Sequence, residues 1–154
     1  MKKNGILVVV SAPSGSGKGT ILQRVGLLQN DMSVCVSATT RKPRVGEKDG
    51  VDYYFLDRQV FLDKVEAGEM IEYDEHFGNF YGTLKQEVEN KMKNHEVVVL
   101  EIDVNGAKNV SSKFDCVKIF IVDKGIGIIM FKKIFNFLLL MVITLNINVF
   151  AETC

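Results

Sequence analysis

Apolar positions recur along the chain with two different rhythms. The continuous β-branched run at residues 97–100 reads as a strand buried on both faces, and the apolar run 6–10 and residues 117–122 read as further buried strands. Between them, Ile21, Leu22, Val25 and Leu28, and later Leu84, Val88 and Met92, recur at helical spacing. The first helix should end near the polar Gln29-Asn30-Asp31, and residues 105–113 read as another short helix. Strands alternating with helices over 6–122 predict an α/β fold with a parallel sheet in three layers.

The middle of the chain follows another pattern. Short strands are expected at 34–36, 51–56 and 70–73, with turns at 46–50 and at Gly78-Asn79 before Phe80-Tyr81-Gly82-Thr83. Asp57 reads as the N-cap of a helix that turns Phe61 and Val65 inward and stops at Gly68. Residues 37–83 are therefore expected to form a small, mainly antiparallel insert between two parts of the core, 1–36 and 84–121. Glu87 and Lys91, four apart, are expected on the exposed side of the following helix.

The one stretch with unmistakable chemistry is Ser11-Ala12-Pro13-Ser14-Gly15-Ser16-Gly17-Lys18-Gly19-Thr20. It lies between a buried strand and a helix, the context of a phosphate-binding loop. Small residues let successive backbone N–H groups turn toward a polyphosphate, the helix start adds partial positive charge, and Lys18 adds a full one. Ala12 replaces the first Gly of Gly-x-x-x-x-Gly-Lys, and Gly19 replaces the Ser or Thr that contacts Mg²⁺. The Gly-Lys-Gly-Thr ending is similar to that of adenylate kinases, so the expectation is phosphate binding without a direct hydroxyl–metal bond.

Two further groups stand at strand ends. Arg41 and Arg44 flank Lys42 and Pro43 behind Ser37-Ala38-Thr39-Thr40, and paired guanidinium forks match a phosphate monoester. Glu101 and Asp103 follow the run at 97–100, where open α/β sheets place their ligand crevice.

Composition removes several classes. The 154 residues are 47% hydrophobic and 25% charged with zero formal net charge, which suits one globular domain and gives no global attraction to nucleic acid. Cys35, Cys116 and Cys154 are scattered and odd in number, which argues against a disulfide framework and for a reducing, cytoplasmic setting. His76 and His95 have no Cys or His at metal-ligand spacing. The start, Met-Lys-Lys-Asn-Gly before a short apolar run, reads as a strand and not a signal peptide.

Taken in order, the pieces resemble guanylate kinases. They are Ser-Ala-Pro-Ser-Gly-Ser-Gly-Lys, Thr-Thr-Arg-Lys-Pro-Arg with Gly46-Glu47, Gly50-Val51-Asp52-Tyr53-Tyr54-Phe55, Ile71-Glu72-Tyr73, Gly78-Asn79-Phe80-Tyr81-Gly82 and Leu100-Glu101-Ile102-Asp103-Val104-Asn105-Gly106. The resemblance runs over about 5–121. It implies a P-loop nucleoside triphosphatase core that binds ATP through residues 12–20, with Lys18 catalytic, and a GMP-binding insert. It implies that Ser37, Arg41, Arg44, Tyr53 and Tyr81 hold the GMP phosphate and that Glu72, Thr83, Glu101 and Asp103 read guanine. The implied reaction is ATP plus GMP giving ADP plus GDP, with Mg²⁺ bound to ATP and Asp103 able to reach it through water. The Arg41–Arg44 segment and Glu72 set the chain apart from adenylate kinases.

Past residue 121 the resemblance ends. The family's arginine-rich lid and C-terminal part are not recognisable in 122–154, which contain no arginine. A basic Met-Phe-Lys-Lys, an apolar run and Val-Phe-Ala before Glu152 read like an internal signal peptide. The expectation is a truncated or frameshifted kinase with a divergent apolar tail. A replacement core helix or a membrane segment over 134–151 are the other readings. Activity is then reduced or lost, and the alternatives to an enzyme are a non-catalytic nucleotide-binding or protein-interaction module, or an inactive fragment. No nucleic-acid partner is expected, no membrane unless 134–151 inserts, and the sequence gives no oligomeric state.

Overall fold

The computed structural model describes residues 5–13, 16–121, 128–131 and 149–150. In chain order the elements begin with β1 (Ile6–Ser11), α1 (Lys18–Leu28), β2 (Met32–Val34), β3 (Ala38–Thr39) and β4 (Tyr54–Phe55). They continue with α2 (Arg58–Glu66), β5 (Met70–His76), β6 (Asn79–Leu84), α3 (Lys85–Asn94) and β7 (Val97–Glu101). The last are α4 (Val104–Lys113), β8 (Val117–Ile121), β9 (Ile128–Phe131) and β10 (Val149–Phe150).

The main sheet has the order β10-β9-β8-β1-β7-β2. β1 pairs in parallel with both β7 and β8, and β2 pairs in parallel with β7. Alternation along these strands explains the layers. Val8, Val10, Val97, Val99, Val117, Ile119 and Ile121 face α1 through Leu22 and Val25. Leu7, Val9, Val98 and Leu100 face the other way, onto Val88 of α3 and Val110 of α4. A central strand with helices on both faces must be apolar at every position, which is why these runs lack polar alternation.

The second sheet, β4-β3-β6-β5, is built from residues 38–84. Its β3–β6 and β5–β6 pairs are antiparallel, whereas β3 and β4 run parallel. Ala38, Phe61, Met70 and Phe80 form its core beneath α2. Phe77 and Gly78 join β5 to β6 with φ of 50° and 75°, a two-residue turn whose twist matches the hairpin.

Several expectations shift. The strand expected at 51–56 shrinks to β4, because the N–H groups of Val51 and Asp52 both turn back to the carbonyl of Lys48. The strand expected at 34–36 lies at 32–34, and Leu84 precedes its helix as the last residue of β6. Asp57 occupies the N-cap position of α2, but its side chain makes no capping bond. Glu87 and Lys91 are not on an exposed side. Glu87 accepts hydrogen bonds from the Val36 N–H (3.1 Å) and the Tyr54 hydroxyl (3.0 Å), and Lys91 donates to Ser33 Oγ and the Val34 carbonyl. The pair thus ties α3 to β2 and β4.

In the tail, β9 pairs antiparallel with β8, and β10 pairs parallel with β9. The readings of 134–148 as a signal-like, helical or membrane segment lie outside the described residues. Among the described residues, no helix is long and apolar enough to cross a membrane.

Candidate functional site

β1 delivers the phosphate loop to the C-terminal edge of the sheet. There the N–H of Ser16 bonds the carbonyl of Pro13 (3.2 Å), and Gly17 caps α1 with a φ of 76°. That left-handed backbone favours glycine even though a Cβ at Gly17 would meet nothing within 4 Å. Because Ile21 is the first amide to bond back to Gly17, the N–H groups of Lys18, Gly19 and Thr20 have no intrahelical partner. Ser16 Oγ is buried without a hydrogen-bond partner among the described residues, a polar atom left for something else to satisfy. Ser14 and Gly15 lie outside the described residues.

The loop forms one wall of a cavity of about 700 Å³. Ala12, Pro13, Ser16, Gly17, Lys18, Gly19 and Thr20 line it on one side; Ser37, Arg44, Tyr53, Glu72, Tyr81, Glu101 and Asp103 complete it. Lys18 is 18% exposed, donates to the carbonyl of Ile102 (3.3 Å) and lies 3.8 Å from Glu101 Oε1.

The phosphomonoester wall is less simple than a pair of free arginines. Arg44 lines the cavity; Arg41 does not. Arg41 instead donates to Glu47 Oε1 (2.8 Å) and the Lys42 carbonyl (2.7 Å), with its guanidinium 5.4 Å from the Tyr53 ring centre. Glu47 Oε2 accepts the Arg44 backbone N–H at 2.7 Å, so one carboxylate holds both arginine positions. The bond from Arg41, and then that from the Arg44 amide, keep the Glu47 carboxyl below the usual carboxylate range. Tyr53 and Tyr81 meet edge-on at 6.2 Å, and burial pushes the Tyr53 phenol upward.

Glu72 is a buried carboxylate in the cavity wall. It is 7% exposed, Thr83 beside it is 1% exposed, and the Thr83 hydroxyl donates to Glu72 Oε1 at 2.7 Å. Burial is the main reason the Glu72 carboxyl is raised to about 7; the Thr83 bond opposes it, and Asp103 and Asp74 reinforce it. Thr83 therefore reaches the cavity through Glu72. The backbone here is tight: a Cβ at Gly82 would fall 2.7 Å from the Glu72 carbonyl oxygen, and one at Gly106 would fall 2.8 Å from Glu72 Oε2.

Asp103 caps α4, accepting the Gly106 N–H through Oδ1 at 2.7 Å, while its Oδ2 lies 2.9 Å from His76 Nε2. Asp74, also lining the cavity, accepts from Asn105 (3.3 Å). Ligand atoms of Asp74, His76 and Asp103 lie within 4.8 Å of one another, although Asp74 and Asp103 are also held by neighbouring N–H groups. The cluster joins β5 to α4. Sequence reasoning missed His76, Asp74 and the tethering role of Glu47. The two-residue spacing of Asp74 and His76 on one strand puts them on one face, which was the available signal.

A family model described as guanylate kinase matches residues 4–127. The chain is 47% identical over 118 residues to a guanylate kinase of Clostridium perfringens, covering 76% of this chain and 55% of that protein. It is 48% identical over 114 residues to a guanylate kinase of Enterococcus faecalis, covering 73% of this chain and 56% of that one. The crystal structure of guanylate kinase from Anaplasma phagocytophilum superposes with a TM-score of 0.64 at 37% identity, covering 79% of this chain and 62% of that chain. The chain spans about half the length of the curated relatives it matches.

Proposed function

The chain belongs to the guanylate kinase family, and from that premise we propose that it transfers the terminal phosphoryl group of ATP to the phosphate of GMP. The observation that carries this is one cavity of about 700 Å³ with a phosphate loop on one wall and an arginine, two tyrosines and a buried carboxylate on the other. It has room for two nucleotides meeting phosphate to phosphate.

In this reading the amides of Lys18, Gly19 and Thr20 and the ammonium of Lys18 hold the ATP phosphates. Ser37, Arg44, Tyr53 and Tyr81 grip the GMP phosphate, with Arg41 joining when GMP draws it from Glu47. Glu72 accepts the N1–H and N2–H of guanine, with Thr83 fixing its second oxygen. Adenine has no such donor pair, so AMP would leave the carboxylate unpaired. The residues 37–83 act as the GMP-binding insert. No protein nucleophile is needed: catalysis is positioning plus neutralisation of phosphoryl charge. Mg²⁺ arrives with ATP and supplies further neutralisation; the unpartnered Ser16 hydroxyl and the wall of carboxylates suit a metal–phosphate group. Free thiols at Cys35 and Cys116 support a cytoplasmic setting.

A second reading, nucleotide binding without turnover, is favoured by the absence of any arginine after Arg58. Phosphoryl transfer often relies on such a residue for a factor of about 10³–10⁵. Purified protein with ATP, Mg²⁺ and GMP decides between them. GMP-dependent ADP formation that disappears in Lys18→Ala supports the kinase. GMP binding with no ADP formed supports the second reading, and equal use of AMP overturns the assignment of guanine to Glu72.

A further inference from the structure

The chain leaves the main sheet after β2 and returns to it through α3, so residues 37–83 hang from the core by two crossings. Glu87 lies in the first turn of α3, just past the returning crossing. Its Oε1 accepts the backbone N–H of Val36, the last residue of the outgoing crossing, at 3.1 Å. Its Oε2 accepts the hydroxyl of Tyr54, on β4 inside the insert, at 3.0 Å.

The strands explain why an acceptor is needed there. β2 is an edge of the main sheet, and the Cys35 N–H, just beyond it, is taken by the Val99 carbonyl of β7. The next amide, that of Val36, points the other way, where the main sheet has no further strand to pair it. The Glu87 side chain is only 12% exposed, and the Lys91 ammonium stands 3.3 Å from Oε1. Lys91 is itself anchored on Ser33 Oγ (2.9 Å) and the Val34 carbonyl (3.0 Å). Glu87 thus has its charge compensated and both oxygens bonded, which makes it a fixed pin between core and insert.

Val36, Tyr54 and Glu87 do not line the cavity, but the residues next to the first two do. Ser37 follows Val36, and Tyr53 precedes Tyr54. The Ser37 carbonyl accepts the Tyr54 N–H at 2.9 Å, and Ala38 is the register partner of Tyr54. One carboxylate therefore holds the neighbours of both cavity residues, Val36 through its amide and Tyr54 through its hydroxyl. Glu72, on β5, has its oxygen bonded to Thr83 instead.

We propose that Glu87 is a positioning residue for the GMP phosphate, setting Ser37 and Tyr53 through Val36 and Tyr54. This rests on the reading of Ser37 and Tyr53 as phosphate ligands given above. It assigns Glu87 no part in holding the base or ATP.

Calorimetry on the full chain, with GMP and with guanosine, reads the phosphate contribution as the ratio of the two affinities. In Glu87→Ala that ratio should fall about tenfold, less than the factor of about 10² that a misplacement of about 1 Å can cost. Guanosine and metal-free ATP should bind as before. Tyr54→Phe, which deletes one hydroxyl, should lower the ratio by less. The double variant should be no worse than Glu87→Ala alone, since both changes break the same bond. Glu87→Gln should keep most of the ratio, because its amide oxygen can take the Val36 N–H and its NH₂ can donate to the Tyr54 oxygen. A pin that only stabilised the fold would lower the melting temperature and weaken GMP and guanosine alike. An unchanged ratio in both Glu87→Ala and Tyr54→Phe therefore overturns the inference, and Tyr54→Phe carries the test if Glu87→Ala does not fold. A ratio above one in the unaltered chain that both variants keep leaves the proposed function standing and removes only the role of Glu87. If the unaltered chain binds GMP no more tightly than guanosine, the phosphate grip of the proposed function fails and this inference with it.

Discussion

The hydroxyl of Thr83 donates to a carboxylate oxygen of Glu72 at 2.7 Å, and both side chains are closed off from solvent. This bond opposes the burial that raises the Glu72 carboxyl from 4.5 to about 7. Two consequences for pH follow from it.

The first concerns stability. Glu72 titrates near 4.5 when unfolded and near 7 when folded, so between these values the folded state holds a proton that the unfolded state has lost. The contribution to stability is fully present below the unfolded value and declines as pH rises through about 7. At about 1.4 kcal/mol per unit, the shift amounts to roughly 3–4 kcal/mol. Urea unfolding between about pH 5 and 8 should show this decline, and Glu72→Gln should flatten it. A Glu72→Gln curve parallel to that of the unaltered chain would refute the assignment.

The second concerns the ligand. Guanine offers donors, so it needs Glu72 ionised. Guanosine, which has no phosphate to titrate, should bind about tenfold more tightly per unit of pH up to about 7 and then level off. Thr83→Val should move this plateau to higher pH and cost about 1–3 kcal/mol of stability by leaving a buried oxygen unpaired. Thr83→Ser should restore both. Binding of guanosine that is flat with pH in all three proteins would remove Glu72 from base recognition.

Glu47 holds Arg41 by its side chain and Arg44 by its backbone, through one oxygen each. Glu47→Ala should weaken GMP binding about tenfold, because the Arg44 backbone loses the charge-assisted bond that positions it at the cavity, while metal-free ATP binding stays as it was. Since Arg41 and the Arg44 amide hold the Glu47 carboxyl below the usual range, the tether survives mild acid and is lost only as pH falls through that depressed value. Equal loss of both nucleotides would point to a general folding defect instead.

Phe77 has a φ of 50° and is fully exposed at the tip of the β5–β6 hairpin. A bulky residue in that left-handed conformation is strained, whereas Asn adopts it readily in two-residue turns. Phe77→Asn should raise the melting temperature by a few degrees, corresponding to about 1 kcal/mol. A drop would mean that the ring contributes contacts worth more than the strain.

Much of this architecture was legible in the residues. Runs such as Val97 to Leu100 announce a doubly covered strand, and Lys18 between strand and helix announces phosphate. What was not legible depends on partners far along the chain. Glu87 looked like a solvated helix charge because its ligands, the Val36 amide and the Tyr54 hydroxyl, come from 51 and 33 residues away. His76 looked isolated because Asp103 meets it only when β5 lies against α4. Arg41 looked like half of an open clamp because nothing in its spacing from Arg44 reveals that Glu47 has folded back onto both. Local periodicity reports which face is apolar; it does not report which polar group waits across the gap.

The central strand of the main sheet sets an order of assembly. Ile6 pairs with Val97, so β1 finds its neighbour only after the whole second sheet has been synthesised. The β5–β6 hairpin closes over two residues and needs no such wait. Contacts of short loop length form before those that must close a long one. Pulse-labelled hydrogen exchange during refolding should therefore protect Tyr73 and Tyr81 amides before those of Val9 and Val98. The nucleotide cradle then matures after the second sheet, and an emerging chain exposes its lysine loop well before it can grip a phosphate.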